Sequence, residues 1–142
     1  MKLHIKRIDQ SLPLPLYQTN GSIAFDLYAR LKTIIKPKTI KLIPTNLIIK
    51  TPPCFMLLIA ARSSTPLKKG LMLANGIGII DQDYCGKNDE IKVLVYNFTN
   101  NTVTVKKKER IAQAILVKIA RASFTEANET KTKSRGGFGS TG

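Results

Sequence analysis

The chain has 142 residues, enough for one domain with a substantial core, and 43% of them are hydrophobic. No apolar run is long enough to cross a bilayer, and the opening residues lack the apolar stretch of a secretory signal. Two cysteines, Cys54 and Cys85, make neither a disulfide framework nor a metal pattern. The single histidine, His4, argues against a zinc site or a histidine-based triad. These features favour a reduced, cytoplasmic protein, or an intracellular one if the source is viral or nuclear.

The charge balance is strongly basic, with 23 Lys and Arg against 9 Asp and Glu, a formal net charge of +14. Such a field attracts polyanions such as nucleic acid, triphosphates or acidic membrane surfaces. It is also compatible with plain solubility or an adaptation of the source. The basic residues are dispersed, and 106–108 is the only run of three lysines. This dispersion weakens the case for a dedicated nucleic-acid face.

Short β-branched and apolar stretches recur about every 8–12 residues, separated by Pro, Gly and Asn. The pattern predicts an all-β single domain, a distorted jelly roll or β-barrel-like fold. The predicted strands are Leu3–Ile8, Ile23–Ala29, Ile34–Ile35, Ile40–Ile43, Leu47–Ile49, Cys54–Ala60, Leu71–Ala74, Ile91–Phe98, Val103–Val105 and Ile111–Ile119. The last of these is almost continuously apolar, as expected of a strand covered on both faces, and a neighbouring subunit is one way to supply the second cover.

One stretch is typical of a helix. Residues 63–70 contain cap residues, Pro66 near the first turn and a closing Gly70, and are long enough for about one or two turns.

The most informative stretch runs from Asn75 to Gly86 and reads Asn-Gly-Ile-Gly-Ile-Ile-Asp-Gln-Asp-Tyr-Cys-Gly. Its first two glycines permit unusual φ angles or a close approach of backbone to a ligand, and its isoleucines favour extended chain. We expect a tight β-hairpin that presents bare backbone donors and acceptors, with Asp81 and Tyr84 at its exit. An ordinary hairpin with an Asp turn is the alternative.

The composition changes at Ser123, which divides the chain into a β domain over 1–122 and a flexible arm over 123–142. The polar stretch 125–134 has nothing to bury, and a glycine-rich tip follows it. A frayed terminus is the default interpretation. A lid is the alternative, in which Phe138 stacks on a base while the backbone around Gly139, with Ser140 and Thr141, wraps phosphate oxygens.

Five segments together resemble the trimeric deoxyuridine triphosphatases. In chain order they are Ala24-Phe-Asp-Leu-Tyr-Ala29, Ala61-Arg-Ser-Ser64, Asn75–Gly86, Glu109-Arg-Ile-Ala-Gln113 and Gly137-Phe-Gly-Ser-Thr-Gly142. Each is a weak motif, but the order and intervals of all five fit, from about residue 20 to the end. The resemblance implies hydrolysis of dUTP to dUMP and pyrophosphate, which limits uracil incorporation into DNA and supplies dUMP for thymidylate synthesis.

The resemblance implies that the backbone of Gly78, Ile79 and Ile80 pairs with the uracil edge, helped by the Asn75 amide. Uracil and cytosine exchange donor and acceptor at one position of this edge. Wrongly matched buried groups would therefore disfavour the binding of cytosine by a few kcal/mol. The Tyr84 ring resembles the one that packs on deoxyribose and leaves no space for a 2′-hydroxyl.

Asp81 matches the family's general base, which deprotonates a water that attacks the α-phosphorus. Asp83 is assigned at most a supporting role. Asp26 is expected to hold water around a Mg2+ ion bound mainly by the triphosphate, since magnesium retains several waters. A plain turn or cap carboxylate is the alternative for Asp26.

The resemblance places phosphate contacts on Arg62, Ser63, Ser64 and Gln113, where helix-start amides, hydroxyls and a guanidinium form an anion cradle. Arg110 is equally well explained as a structural ion-pair partner, and Lys92 matches a position that lines the substrate site. The family's active sites are shared between the subunits of a homotrimer. No membrane and no sequence-specific nucleic acid is expected as a partner.

The sequence departs from the family pattern in three places. Lys133 replaces the usual arginine of the tail, and Arg135 lies two residues nearer to Phe138. A lysine cannot donate the paired hydrogen bonds that an arginine guanidinium gives to a phosphate. Cys85 replaces a usual Arg or Gln, before what looks like an insertion over 87–89. Ser64 replaces the commoner glycine.

Two rival functions remain. A dCTP deaminase-like enzyme shares the fold and the Ala-Arg-Ser-Ser-like motif, but its catalytic glutamate would fall on Leu94, which cannot transfer protons. The second alternative is a non-catalytic homologue that binds nucleotide or nucleic acid. It is disfavoured because the chain has the family's site residues Asp81, Asn75, Ser63 and Phe138.

Overall fold

The computed structural model describes residues 1–129 and 132–137 and confirms the predicted succession of short strands. The elements are β1 His4–Arg7, β2 Phe25–Tyr28, β3 Thr33–Ile35, β4 Ile40–Pro44, β5 Leu47–Lys50, β6 Phe55–Ala61, α1 Ser64–Lys69, β7 Leu71–Leu73, β8 Gly78–Ile80, β9 Lys92–Asn97, β10 Val103–Val105 and β11 Arg110–Lys118. The ten predicted strands differ from the observed ones only at their ends, and β8 is an eleventh strand, formed within the segment that was predicted as a hairpin.

The strands form four antiparallel sheets. The largest has the order β2-β11-β6-β8, a second has the order β4-β9-β7, and two ribbons pair β1 with β5 and β3 with β10. Within the described residues, strand pairing does not close these sheets into a cylinder, and the arrangement is an all-β jelly roll. Each sheet joins strands distant in sequence, so its register depends on the buried pattern of both partners.

Strand β11 organises the largest sheet because it pairs on both sides, with β2 and with β6. Its register with β6 runs from Ala112 opposite Ala61 to Lys118 opposite Phe55. Leu57 and Ile59 of β6 pack in the same core as Val93 and Val95 of β9, all almost fully buried. The apolar character of β9 and β11 therefore follows from central positions in their sheets.

The predicted helix is present as α1, and Gly70 terminates it. Gly70 has a φ of 62°, in the left-handed region, and its N–H donates to the Pro66 carbonyl at 2.9 Å. A Cβ at this position would lie 1.9 Å from the Thr99 Cγ2, so both the backbone and the available space require glycine. Lys68 and Lys69 in the last turn complement the helix dipole.

After β11 the chain has no regular secondary structure. Ile119 still donates its N–H to the Cys54 carbonyl at 2.9 Å, whereas residues 120–129 and 132–137 are exposed. Four residues predicted to form the lid lie outside the described residues, namely Phe138, Gly139, Ser140 and Thr141. Over the part of the chain that is described, no helix combines the length and the apolar character needed to span a membrane.

Candidate active site

The segment predicted to be a tight hairpin has a different pairing. β7 pairs with β9 and β8 pairs with β6, so the two strands belong to different sheets. The turn between them contains Asn75, which is exposed, and Gly76, whose φ of 73° lies in the left-handed region. The Gly76 N–H donates to the Leu73 carbonyl at 3.1 Å. The local sequence indicates the turn, but the sheet that each flanking strand joins depends on pairing with β6 and β9, which are distant in sequence.

Strand β8 is the edge strand of the largest sheet and pairs only with β6 among the described residues. Its other edge therefore keeps backbone N–H and C=O groups with no strand partner. Gly78 allows this placement, because a Cβ there would lie 3.2 Å from the Ile59 Cβ. Ile79 is 57% exposed, while Ile80 packs against the core. The predicted bare peptide edge is thus present, as an open strand edge.

Asp81 directly follows β8 and is exposed in an open cleft of about 450 Å³. Phe55 and Met56 at the start of β6 line this cleft, together with Ile119 and Arg121. The Gln82 amide donates to the Phe55 carbonyl at 3.0 Å, which fixes the chain immediately after the carboxylate. A water in the cleft would therefore meet an accessible carboxylate on an anchored backbone.

Tyr84 is held at the exit of the same loop. Its N–H donates to the Asp81 carbonyl at 3.3 Å, and its hydroxyl donates to the Glu90 carbonyl at 3.3 Å. The ring remains 39% exposed and available to a ligand. Asp83 is also exposed, and its carbonyl accepts the Cys85 N–H at 2.9 Å. The loop presents one aromatic face and two carboxylates within four consecutive residues.

At the other end of the sheet, Asp26 on β2 is buried and bound by two arginines. Its Oδ1 lies 2.8 Å from the Arg62 Nε, and its Oδ2 lies 3.1 Å from a terminal nitrogen of Arg110. Gln113 of β11 is directly opposite Asp26 in register and donates its amide to the Ala61 carbonyl at 2.9 Å. The structural ion-pair interpretation of Arg110 is confirmed.

Of the residues expected to hold phosphate, Arg62 and Ser64 line a cleft of about 280 Å³ beside α1, together with Arg110, whereas Ser63 and Gln113 are not among its lining residues. Ser63 precedes the helix, is exposed, and makes no side-chain capping hydrogen bond. Lys68 also lines this cleft. The motifs did not indicate Lys68, although the sequence shows two lysines in the last turn of a short predicted helix. A guanidinium, hydroxyls and an ammonium together can bind an anion.

The two halves of the predicted site are far apart within one chain. Ile80 is opposite Leu57 in β6, so Asp81 lies beside Met56, whereas Arg62 follows the last residue of β6. Six residues of extended chain separate these positions, roughly 20 Å at about 3.3 Å per residue. A triphosphate does not span that distance from a base held at β8. One chain therefore does not bring Asp81 and Arg62 into a single site.

A model of the family described as dUTPase matches residues 10–142. The chain belongs to the dUTPase family. A deoxyuridine 5′-triphosphate nucleotidohydrolase from Nautilia profundicola is 42% identical, over 100% of this chain and 99% of the relative. Among solved structures, a dUTPase from Streptococcus mutans is 29% identical with a TM-score of 0.78, covering 84% of this chain and 98% of its own. A mutant dUTPase from phage phi11 of S. aureus, which coordinates a structural Mg(II) ion, has the same fold with a TM-score of 0.82 at 15% identity, covering 93% and 100%.

The remaining residues assigned by resemblance to the dUTPases are dispersed. Lys92 is exposed at the start of β9 and lines a separate cleft that also includes Lys6, Arg7 and Lys87. Lys133 and Arg135 are both exposed within the described part of the tail. Nearby, the Gly136 N–H donates to the Ser134 hydroxyl at 3.2 Å.

The donor set of this dUTPase fits a magnesium ion carried by its substrate. Within residues 1–129 and 132–137, no three His, Cys, Asp or Glu side chains are grouped to hold a metal. Magnesium is commonly bound by substrate phosphates and waters with one or two carboxylates. Each Asp26 oxygen forms an ion pair with one arginine, and a carboxylate oxygen has a further lone pair for a water.

Proposed function

We propose that this chain is a dUTP diphosphatase that hydrolyses dUTP to dUMP and pyrophosphate. The observation that carries the proposal is the open edge of β8 immediately before the exposed Asp81 carboxylate, in a chain of the dUTPase family. The unpaired backbone groups offer hydrogen bonds to a base, and the carboxylate faces a cleft large enough for water and phosphate.

Base recognition is proposed at the backbone of Gly78, Ile79 and Ile80, with the Asn75 amide from the adjoining turn. Peptide groups held in a strand have fixed directions, so they distinguish the donor and acceptor pattern of uracil from that of cytosine. A cytosine would leave buried groups unpaired, at a cost of about 1–3 kcal/mol for each. The Tyr84 ring, held through its hydroxyl, would pack on the deoxyribose and exclude a 2′-hydroxyl.

Asp81 is proposed as the general base. It accepts a proton from a water whose oxygen attacks the α-phosphorus. The bond from that phosphorus to the oxygen bridging to the β-phosphorus breaks. Its electron pair leaves with pyrophosphate, and the water oxygen remains on dUMP. The anchored backbone at Gln82 supports this role because it limits how far the carboxylate can move from its water.

Arg62, Ser63, Ser64 and Gln113 are proposed to bind the phosphate chain. Asp26 aligns the Arg62 guanidinium through the 2.8 Å ion pair. Lys133 or Arg135 would add charge at the terminal phosphate when the arm 123–142 closes over the domain 1–122, with Phe138, Gly139, Ser140 and Thr141 over the nucleotide. Lys92 is retained as a substrate-lining residue on the strength of the family resemblance.

Mg2+ is proposed as the cofactor, bound mainly by the triphosphate. When bound, it neutralises phosphate charge and orients the leaving pyrophosphate. Asp26 would contact it through water, using lone pairs that the two arginines leave unused.

A homotrimer with shared active sites is proposed as the working form. The separation of roughly 20 Å between Asp81 and Arg62 along β6 supports it, because a neighbouring copy can bring the two halves together. An apolar face on the β4-β9-β7 sheet also supports it. Ile40, Leu42 and Met72 there are 58%, 51% and 45% exposed, and Ile40 and Met72 flank Tyr96 in register. An apolar patch of this kind favours burial against another chain.

The two alternative functions can be distinguished by their products, because a dCTP deaminase releases ammonia and a non-catalytic homologue releases no product. Leu94, where a deaminase would need its glutamate, is a half-buried residue of β9. The decisive experiment is to incubate the purified protein and magnesium with dUTP, dCTP and dTTP separately, and to measure pyrophosphate and ammonia. We expect pyrophosphate from dUTP alone. Ammonia from dCTP would support the deaminase, and nucleotide or DNA binding without turnover would support the non-catalytic homologue.

A cytoplasmic location is proposed on the free thiols of Cys54 and Cys85.

A further inference from the structure

Two clefts on one face of the molecule join into a groove lined by cations. The first, about 390 Å³, includes His4, Lys6, Lys50 and Lys87, and the second, about 370 Å³, includes Lys6, Arg7, Lys87 and Lys92. Lys6 and Lys87 line both clefts, so the two adjoin each other. This basic groove is defined by His4, Lys6, Arg7, Lys50, Lys87 and Lys92.

The sheet register concentrates the charges of the groove. His4 and Lys50 are directly opposite each other in the β1–β5 ribbon, and Lys6 is two residues from His4 on the same face. Lys6 is opposite Ile48, so Lys6 and Lys50 are diagonal neighbours on this face, close enough for their like charges to interact.

The cations of the groove have little internal compensation. In the described part of the chain, none of Lys6, Lys50, Lys87 and Lys92 forms an ion pair, whereas Lys69 and Lys107 do. Arg7 is different, since its guanidinium donates to the Leu12 carbonyl at 2.6 Å and to the Gln10 carbonyl. Lys92 interacts electrostatically with the Glu90 carboxylate, which leaves Lys6, Lys50 and Lys87 available to an external anion.

The nearby carboxylates are already occupied. Glu90 lines the second cleft, but Arg30 binds both of its oxygens, at 2.7 and 2.8 Å. Asp89 accepts the Gly86 N–H at 2.7 Å and does not line either cleft. The lining therefore has more cations than carboxylates, and a groove lined mainly by one sign of charge concentrates counter-ions of the other.

The chemistry of the lining indicates which polyanion fits. The imidazole of His4 is the only ring among the residues lining either cleft, so stacking of successive bases is not the main contact. Diagonal neighbours on one face of a strand pair, such as Lys6 and Lys50, are about 7–8 Å apart, a spacing suited to successive phosphates of an extended strand. A duplex is too wide to enter clefts of this size.

We propose that the basic groove binds the phosphodiester backbone of single-stranded DNA without regard to sequence. Lys92 belongs both to the groove and to the proposed substrate site, but Lys6, Lys50 and Lys87 have no part in that site, so variants at these three residues test the proposal separately from the dUTP diphosphatase activity. Contact of these three lysines with three phosphates would give a slope of about −2 in the dependence of log affinity on log salt concentration.

The test uses the full-length protein and a fluorescein-labelled oligothymidylate of about 20 nucleotides. Anisotropy is measured between about 25 and 200 mM NaCl. Lys6→Glu/Lys87→Glu reverses the two charges common to both clefts. Lys32→Glu/Lys36→Glu makes the same charge change at exposed lysines outside the groove. We expect the groove variant to bind at least about tenfold more weakly with a salt slope about 1.4 shallower, and the control to change less than about threefold. Turnover of dUTP should be unchanged in both.

Equal losses in the two variants would assign DNA binding to net charge and overturn the proposal. So would the absence of measurable binding by the wild-type protein, or binding to phosphatidylserine vesicles with none to DNA. If the groove variant fails to fold by circular dichroism, Lys50→Gln/Lys87→Gln replaces it. A loss of less than about twofold in that milder variant would then overturn the proposal.

Discussion

Arg30 binds the Glu90 carboxylate through two hydrogen bonds, from its Nε at 2.7 Å and from a terminal nitrogen at 2.8 Å. The Asn46 N–H adds a third donor to the same carboxylate at 2.8 Å. Burial by itself would raise the pKa of Glu90, but these donors outweigh it and hold the pKa below its ordinary value of 4.5, while Glu90 in turn raises the pKa of Arg30. Because the Glu90 carbonyl also accepts the Tyr84 hydroxyl, this ion pair supports the loop that contains Asp81.

Glu90→Gln is expected to lower the free energy of unfolding by about 2–3 kcal/mol at pH 7, because it leaves Arg30 without its partner in a largely buried setting. A carboxyl group with a lowered folded-state pKa contributes stability above its unfolded pKa and loses it as pH falls through the folded one. The difference from wild type should therefore shrink below pH 4.5. Urea denaturation between neutral and acid pH measures this.

Glu126→Gln, in the exposed tail, is the matched control and should change the free energy of unfolding by less than about 0.5 kcal/mol at every pH. A constant difference between Glu90→Gln and wild type across the acid range would contradict the assignment.

Asp81→Asn is expected to reduce kcat by about 10³-fold while leaving dUTP affinity nearly unchanged, because the amide cannot accept the proton of the attacking water. Asp83→Asn removes a neighbouring exposed carboxylate of the same loop and should stay within about fivefold of wild type. Single-turnover kinetics and equilibrium binding of a non-hydrolysable analogue separate the two effects. Unchanged turnover in Asp81→Asn would remove it as the base.

Mixing two inactive variants tests whether sites are shared between chains. Arg62→Gln is chosen because the glutamine amide can still donate a hydrogen bond to Asp26. Equal amounts of the Arg62→Gln and Asp81→Asn proteins are unfolded, mixed and refolded together. A shared site needs its Asp81 and its Arg62 from different chains, each intact with a chance of one half, so about one quarter of wild-type activity should return. Sedimentation confirms the oligomer in each sample. No recovery in mixed oligomers would place both residues in one chain.

Truncation after Thr132 removes Lys133 and everything beyond it. Residues 132–137 are exposed and outside every strand, so the melting temperature and oligomeric state should be preserved. We expect kcat/KM for dUTP to fall by at least about 100-fold, because water is no longer excluded and charge at the terminal phosphate is lost. Phe138→Ala in the full-length chain isolates the contribution of the ring. Unfolding of the truncated chain would instead make the tail structural.

Strand positions were predictable because short β-branched runs bounded by Pro, Gly and Asn are a local signal. Segment 63–70 was predictable for the same reason, since Pro66 and Gly70 mark the start and the end of α1. The five motifs also identified the family before any geometry was available.

Pairing was not predictable, because it depends on partners far along the chain. Nothing local in 78–80 indicates that Ile80 will lie opposite Leu57 rather than fold back on β7. The same holds for the pair of guanidinium groups on Asp26, which meet only when β2 and β11 are adjacent. The basic groove was missed because its lysines come from four separate segments, and the sequence shows only that they are dispersed.

The turn over 74–77 joins a strand of one sheet to a strand of another. A nucleotide bound at that turn would restrain both sheets at once. The free energy of unfolding should therefore rise with nucleotide concentration by RT ln(1 + [L]/Kd). Nucleotide supply would then govern how long each folded molecule persists, as well as how fast it works.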